Sequence, residues 1–189
     1  MLNPILIIIA LNLGIFFAVQ LSSGLVYDIG LYSPAKDFFQ HPWGIVTSIF
    51  THEGFFHLFA NMITLFFFGS FLHRLVGTGR LLTVYLGGGI LGSIFFVLLG
   101  TLLHPNSPSL AIGASGAVFA LGGALAIMQP NLRVFIFPIP APLPLWIAVI
   151  GGFVLLSFLP NIAWEAHLGG MLFGLGAGYL FRGRRRYRY

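Results

Sequence analysis

The sequence predicts an all-α membrane protein with six transmembrane helices and both termini on the cytoplasmic side. Apolar residues make up 58% of the 189 residues and charged residues only 7%, whereas a soluble domain carries roughly 25% charged residues. The mean hydropathy is +0.97. Because one helix needs about 20 residues to cross the hydrocarbon core, six spans use about 120 residues and leave only short loops. We therefore expect residues 1–189 to form a single domain.

Six apolar segments of helical length are separated by residues that end helices. The first lacks the basic start and small-residue exit of a signal peptide, so we expect it to be retained as a span. The aromatic loop 25–44 is expected to lie in the membrane interface. Prolines at every second position of 138–144 exclude a helix there and predict an extended connector. The predicted spans are residues 1–24, 55–75, 81–103, 114–129, 145–159 and 165–181.

The charges fix the predicted orientation. Arg74 and Arg80 fall in the second loop, Arg133 in the fourth, and five arginines in the tail 182–189, which leaves only Lys36 on the opposite side. Cytoplasmic loops carry the excess of basic residues, so both termini are expected in the cytoplasm. The net charge of +5 is concentrated in that tail, and this predicts binding to anionic lipid headgroups and no nucleic-acid partner.

Four polar residues inside the spans are the functional candidates. Polar side chains are costly within a membrane and mark functional sites by default. His57 and Asn61 belong to the second span, Ser115 to the fourth and His167 to the sixth. All four fall near the span ends that face the non-cytoplasmic side. Three separate helices therefore place polar groups at one depth, which predicts one site.

Ser115 lies in a segment suited to a nucleophile. Gly113 and Gly116 flank it and allow close backbone approach, with a helix starting at the serine. The free N–H groups of a helix N-terminus stabilise a developing oxyanion. The alternative is that Ser115 only caps the fourth helix, a position that favours serine.

His167 is the candidate general base. Gly170 and Gly174 follow it at i+3 and i+7, so this face of the sixth helix can pack closely on a neighbour. If that neighbour is the fourth helix, the imidazole reaches Ser115 and can activate it. The alternative is a structural histidine whose hydrogen bonds are satisfied.

His57 and Asn61 are spaced i,i+4 and share one face of the second span. Both can donate hydrogen bonds, which suits an oxyanion hole shielded from bulk water. The alternative is a polar pair that joins two helices.

Zinc chemistry is a competing prediction at the start of the second span. His52-Glu53 followed by His57 resembles a stretched zinc-protease motif. On one helix these histidines would point about 140° apart, whereas the i,i+4 motif keeps them about 40° apart. Cysteine is absent, so no Cys-ligated metal or thiol nucleophile exists. We expect no metal site and no cofactor.

Three segments, in this order and on these spans, resemble the signatures of rhomboid intramembrane serine proteases. They are HLFANM at residues 57–62 in the second span, GASG at 113–116 in the fourth, and AHLGGMLFG at 166–174 in the sixth. The resemblance covers essentially the whole chain. Each segment alone is moderately specific, but their combination on the correct helices is highly specific.

The resemblance implies a Ser–His dyad without an acidic third member. Ser115 would be the nucleophile, and His167 the base and then the acid that protonates the leaving amine. His57, Asn61 and the Ser115 backbone N–H would form the oxyanion hole.

Supporting roles are also implied by the resemblance. His52 matches a family histidine with a structural or water-coordinating role. The glycines that match the family are Gly113 and Gly116 beside the nucleophile, and Gly170 and Gly174 in the helix packing.

Three positions depart from the common family pattern. Gly44 follows Trp43 where many relatives have arginine, and His73 stands where many have glutamate. Phe119 stands where a tyrosine often stacks on the catalytic histidine; it keeps the ring and loses the hydroxyl.

By this resemblance the chain is an endopeptidase that cleaves transmembrane proteins near the outer membrane boundary. The first loop would insert sideways into the outer leaflet, and the fifth span with loop 160–164 would act as a gate. The alternative is a catalytically silent rhomboid-like protein that binds membrane clients, although such proteins typically lack the serine or the histidine. A channel or carrier would need polar residues at several depths. The expected location is a prokaryotic plasma membrane.

Overall fold

The first helix starts at a side-chain cap. In the computed structural model, which describes residues 3–22, 24–135 and 140–182, Asn3 Oδ1 accepts a hydrogen bond of 3.0 Å from the Ile5 N–H, and Pro4 opens α1 (Pro4–Leu21). Proline fits this position because its missing N–H would have no intrahelical acceptor. Buried residues such as Ile5 and Ile8 form one face of α1, so this helix packs against the core on one side only.

The segment between α1 and the second span is built from short elements. They are α2 (Leu25–Ile29), β1 (Leu31–Ser33), α3 (Ala35–Phe38), α4 (Gly44–Thr47) and a 3₁₀ turn (Ser48–Phe50). β1 pairs in antiparallel orientation with β2 (Ser109–Ala111), with Leu31 opposite Ala111. The Ser33 hydroxyl donates to the Phe96 carbonyl at 3.3 Å. The first loop is thereby attached to the third loop and to the helix before it.

The second span contains an irregular turn that the sequence did not predict. It consists of α5 (Phe55–Thr64), a π-helical turn (Leu65–Gly69) and α6 (Ser70–Val76). A π-turn inserts an extra residue into a helix. A Cβ on Gly69 would lie 2.9 Å from Ile5 Cδ1, so the glycine in this turn allows α1 to approach closely.

Three helices form the centre of the molecule: α7 (Thr78–Leu103), α8 (Ser115–Met128) and α10 (Trp164–Arg182). Small residues join them. A Cβ on Gly88 of α7 would contact Ala120 of α8, and one on Gly92 would lie 2.6 Å from the Ala166 carbonyl of α10. Small residues at such crossings let helix backbones approach closely in a membrane protein. Ser115 and His167 both lie in this central group.

The fifth helix is attached at one end by a small hairpin. β3 (Arg133–Val134) pairs with β4 (Leu143–Pro144), and α9 (Leu145–Ser157) follows directly. The Leu145 N–H donates to the Leu132 carbonyl at 2.8 Å. The described part of the predicted extended connector, residues 140–144, contains no helix and ends in the strand β4; Pro138 lies outside the described residues.

Among the residues that the structure describes, three helical segments are long and apolar enough to cross a membrane: Pro4–Leu21, Phe55–Val76 and Thr78–Leu103. Ser115–Met128 and Leu145–Ser157 are apolar but shorter. The helix ends agree with the predicted spans to within a few residues, whereas the number of spans stays a prediction. Arg182 ends α10. The other arginines predicted to bind lipid lie outside the described residues: Arg184, Arg185, Arg186 and Arg188.

Candidate active site

Ser115 is the first residue of α8 and follows a sharp turn. Gly113 has φ of +118°, a conformation that side chains other than glycine rarely adopt. A Cβ there would lie 2.6 Å from His57 Nε2. The Gly113 N–H donates to the Ser48 carbonyl at 2.9 Å, and the Ala114 N–H donates to His52 Nε2 at 3.3 Å. Glycine therefore permits both the turn and the approach of His57.

His167 faces this serine from the first turns of α10. Its Nε2 lies 2.8 Å from Ser115 Oγ, within hydrogen-bond distance. His167 is buried, while Ser115 is half-buried and remains accessible. The other ring nitrogen, Nδ1, is buried without a hydrogen-bond partner among the described residues. The pair thus has the geometry of a nucleophile and its base, with no carboxylate orienting the imidazole.

Glycines bring the two side chains together. A Cβ on Gly170 of α10 would overlap the Gly116 carbonyl of α8, and one on Gly174 would overlap the Ala120 carbonyl. The helices therefore touch backbone to backbone one turn and two turns beyond His167. This is the contact that the hypothesis of His167 as base required.

Phe119 covers the imidazole. It lies one turn after Ser115 on α8, and its ring centroid is 4.7 Å from that of His167, with the planes inclined by 33°. The aromatic contact inferred from the family pattern is thus present without a hydroxyl.

His57 and Asn61 both lie on α5, and of the two it is the His57 ring that the structure places beside the turn before Ser115. His57 is exposed and its ring lies against Gly113, two residues before the serine. Asn61 is buried, and its Nδ2 donates to the His57 carbonyl at 2.9 Å. One amide hydrogen of Asn61 is therefore used within its own helix, and the second is available to another acceptor.

His52 holds the loop before α5 against the Ser115 turn. It is fully buried, and because its Nε2 accepts the Ala114 N–H, the proton of the neutral ring is on Nδ1. Burial, together with the nearby His57, lowers the pKa of His52 to about 3. This residue is therefore an uncharged acceptor at neutral pH.

One step of the argument against zinc was wrong. It placed His52 and His57 on one helix, but His52 precedes α5 and the two ring centroids lie only 5.0 Å apart. Among the described residues, no group of three or more His, Asp or Glu side chains could hold a metal ion.

A small cavity behind the serine was not foreseen. Its volume is about 30 Å³, and Ser48 and Ser93 contribute polar groups to its wall, which gives room for a water molecule. Ser93, a buried polar residue within a span, carried a signal that sequence reasoning could have used. Ser48 did not, because its position depends on the fold of the first loop.

Two of the departures from the family pattern have local explanations. Gly44 starts α4, where a Cβ would overlap the Gly30 carbonyl and lie 2.9 Å from Leu31 Cα. No side chain fits there unless the first loop shifts. His73 Nε2 lies 2.9 Å from Thr78 Oγ1, so this histidine joins the two helices of the cytoplasmic turn predicted from the charges.

The chain is similar to one family model and to several known proteins. Residues 40–184 match the Rhomboid domain family. The chain is 28% identical to "Rhomboid protein 1, mitochondrial" of Saccharomyces cerevisiae, over 94% of this chain and 53% of that protein. It is 34% identical to "Rhomboid protease GluP" of Bacillus subtilis, over 71% of this chain and 25% of that protein.

A further relative, "Inactive RHOMBOID-like protein 8" of Arabidopsis thaliana, is 36% identical over 69% of this chain and 35% of that protein. The chain thus spans about half the length of the yeast relative and less of the other two. The family match covers most of the chain, and it includes the turn before Ser115, the contact with His167 and all helices from α4 onward. The chain therefore belongs to the rhomboid family of integral membrane proteins.

Proposed function

We propose that this protein is an intramembrane serine endopeptidase that cleaves transmembrane proteins near the outer membrane boundary. The observation that carries this proposal is the 2.8 Å approach of His167 Nε2 to Ser115 Oγ at the start of α8. His167 is buried between helices, and Ser115 is half-buried. A peptide bond can therefore reach the hydroxyl while bulk water is largely excluded.

In the first step, Ser115 Oγ attacks the carbonyl carbon of the scissile bond and its proton passes to His167 Nε2. The carbonyl oxygen becomes an oxyanion. The first turn of a helix leaves its N–H groups without intrahelical acceptors, so the Ser115 N–H can donate to that oxygen. His57 and the second amide hydrogen of Asn61 are the other proposed donors, and such preorganised donors stabilise the developing charge.

In the second step, the C–N bond breaks and His167 gives its proton to the leaving amine, which leaves an acyl ester on Ser115. Water then attacks the ester, His167 takes a proton from this water and returns it to Ser115 Oγ, and the carboxylic acid product departs. His167 therefore alternates between base and acid. Phe119 and the glycine contacts of α10 keep the ring in place through both steps.

The proposed arrangement in the membrane has six spans, cytoplasmic termini and the site on the opposite side, within one domain over residues 1–189. Reporter fusions test it: fusions at Arg133 and Tyr189 should report the cytoplasm, and fusions at Asn106 and Asn161 the other side. A cytoplasmic Asn106 would contradict the proposed side of the active site. Binding of anionic lipid by the basic tail and location in a prokaryotic plasma membrane stay predictions.

The test of catalysis is labelling by a serine-reactive fluorophosphonate combined with cleavage of a transmembrane reporter. Ser115→Ala and His167→Ala should each abolish both signals, and the double variant should be no worse, because residues that act as one unit are not additive. A folded protein that shows neither signal would instead favour the alternative, a silent rhomboid-like protein that binds membrane clients. Residual activity in His167→Ala would mean that another base serves Ser115.

A further inference from the structure

The aromatic contact on His167 continues to a third ring on a different helix. Phe119 of α8 lies between His167 of α10 and Phe153 of α9. The Phe119 and Phe153 ring centroids are 6.2 Å apart, and their planes are nearly perpendicular at 87°. This is the edge-to-face arrangement that aromatic pairs prefer. The three rings therefore form one continuous row from α9 to the base.

We propose that Phe153 is a positioning residue that holds the His167 ring in its reactive orientation through Phe119. This inference rests on the proposed function and concerns a residue outside the three motif segments. It makes the position of α9 a determinant of the chemistry at Ser115.

The imidazole needs such support because its hydrogen bonds leave it free to rotate. His167 Nδ1 has no partner among the described residues, and the contact with Ser115 Oγ holds the ring at one atom only. In a Ser-His-Asp triad, a carboxylate at Nδ1 fixes the ring orientation. Here the face of the imidazole lies against Phe119. Packing against this ring would therefore fix the imidazole orientation, as the carboxylate does in a triad.

Phe119 in turn depends on α9. Phe119 and Phe153 are both only partly buried and pack against the same core. One turn further along the same helix pair, Val149 of α9 lies against Gly122 of α8, where a Cβ would be 3.0 Å from Val149 Cγ2. The interface of α8 and α9 therefore includes contacts at two successive turns, and the contact at Phe153 is made with the ring that covers His167.

The expected size of the effect follows from the strength of an aromatic pair. Losing such a pair changes an equilibrium by about two- to tenfold. If loss of the Phe153 edge lets Phe119 turn away, the reactive fraction of His167 falls by a similar factor. The chemical step should slow while substrate binding is unchanged, which predicts a lower kcat at constant KM.

The test compares Phe153→Leu, which keeps an apolar side chain, with Phe153→Tyr, which keeps the ring. Phe153→Leu should lower kcat about two- to tenfold at unchanged KM, and lower the rate of fluorophosphonate labelling by the same factor. Phe153→Tyr should restore both rates. The labelling reagent is small and needs no transmembrane substrate, so a role of α9 in substrate entry alone would alter cleavage and leave labelling unchanged. That outcome would overturn the inference.

A double-mutant cycle tests the path through Phe119. In a Phe119→Leu background, Phe153→Leu should have no further effect on labelling, whereas an additive effect would overturn the proposed path. Val149→Ala is the matched control in the same interface; it should lower the thermal midpoint and leave the labelling rate unchanged. Failure of the unsubstituted protein to label at Ser115 would overturn the proposed function as well, whereas normal labelling of Phe153→Leu would overturn only this inference.

Discussion

Glycine has opposite surroundings in two regions of this molecule. In the contact between α8 and α10, an added Cβ on Gly170, Gly174 or Gly178 would meet a backbone carbonyl of the facing helix. In α9, Gly151 and Gly152 have no atom within 4 Å of the position where a Cβ would stand. The same residue type marks the closest backbone approach in one region and unfilled space in the other.

The difference shows that the contact between α8 and α10 is closely packed and that α9 is packed more loosely. The interface of α8 and α10 carries both Ser115 and His167, so their distance is set by backbone contacts that cannot relax by a side-chain rotation. In α9 only Leu145 and Val149 are buried, and the β3–β4 hairpin holds its first end. The two proposed catalytic residues thus lie in the closely packed interface of α8 and α10, and the more loosely packed helix α9 is next to it.

The largest expected effect comes from filling the closely packed region. Gly170→Ala places a methyl group on the Gly116 carbonyl, and such overpacking costs about 1–3 kcal/mol or more. Because the helices must separate, labelling of Ser115 should fall to background. The measurements are thermal unfolding in detergent and fluorophosphonate labelling.

Gly151→Ala is the matched control for that substitution. Its methyl group meets open space, and alanine favours a helix over glycine by up to about 1 kcal/mol. Labelling should therefore remain normal and stability should not fall. If Gly151→Ala and Gly170→Ala lowered the labelling and the thermal stability equally, the two regions would not differ in packing as described.

The next effect concerns α5, whose His57 ring contacts the turn before Ser115. If Asn61 donates one of several hydrogen bonds to the oxyanion, Asn61→Ala should lower kcat about 10²–10³-fold and leave measurable activity. Asn61→Asp should be slower still, because a carboxylate repels the developing negative charge. Reporter cleavage measures both.

Thr64→Ala is the control on the same helix. Thr64, like Asn61, donates to the carbonyl four residues earlier, but it lies outside the site. The stability lost in Asn61→Ala should be small, because the Asn61 amide bonds a carbonyl of its own helix and holds no second helix through that bond. An unfolded Asn61→Ala, or a folded one at full rate, would assign Asn61 to helix packing.

A smaller effect is expected where the loop before α5 meets the closely packed region. His52 is neutral in the folded protein, with a pKa of about 3, whereas an unfolded histidine titrates near 6.5. As pH falls below about 6.5, the unfolded state takes up the proton first, so stability is lost between pH 6.5 and about 3, by at most about 1.4 kcal/mol per pH unit.

His52→Gln, which keeps an acceptor for the Ala114 N–H, should lose less stability between pH 7 and 5. Thermal midpoints of both proteins across this range provide the measurement. Identical pH dependence would show that His52 is protonated in the folded state as readily as in the unfolded state.

The smallest expected effect is none. A chelator such as phenanthroline should leave cleavage intact, because serine chemistry needs no metal ion. Loss of activity that added zinc restores would assign a metal to the neighbouring rings of His52 and His57.

The sequence predicted the parts of the fold that local pattern determines. Long apolar runs with prolines and polar loops between them located the helices, and Gly170 and Gly174 on the face of His167 correctly indicated a close helix contact. The sequence alone could not decide which helix His167 packs against, so the contact with the fourth helix was stated only as a condition. The close backbone approach at Gly113 and the start of a helix at Ser115 were also predicted.

The remainder depends on contacts between distant residues. β1 and β2 are three residues each, and Leu31 meets Ala111 only in the folded chain, so neither strand has a recognisable local pattern. The π-turn at Leu65–Gly69 contains a glycine packed against Ile5, which lies some sixty positions earlier in the chain. His52 was misjudged for the same reason: its distance from His57 depends on where α5 begins.

The central position of α10 has a consequence for biogenesis. This helix follows all the other described helices in the chain, yet it lies between α7 and α8, so its place must stay open while they are inserted. Until α10 arrives, Ser115 lacks the contact with His167, and the small-residue surfaces of α7 and α8 lack their partner. If Ser115 and His167 act together as proposed, a nascent chain is inactive until α10 is made. A truncated product ending before Trp164 is expected to be recognised and degraded by membrane quality control.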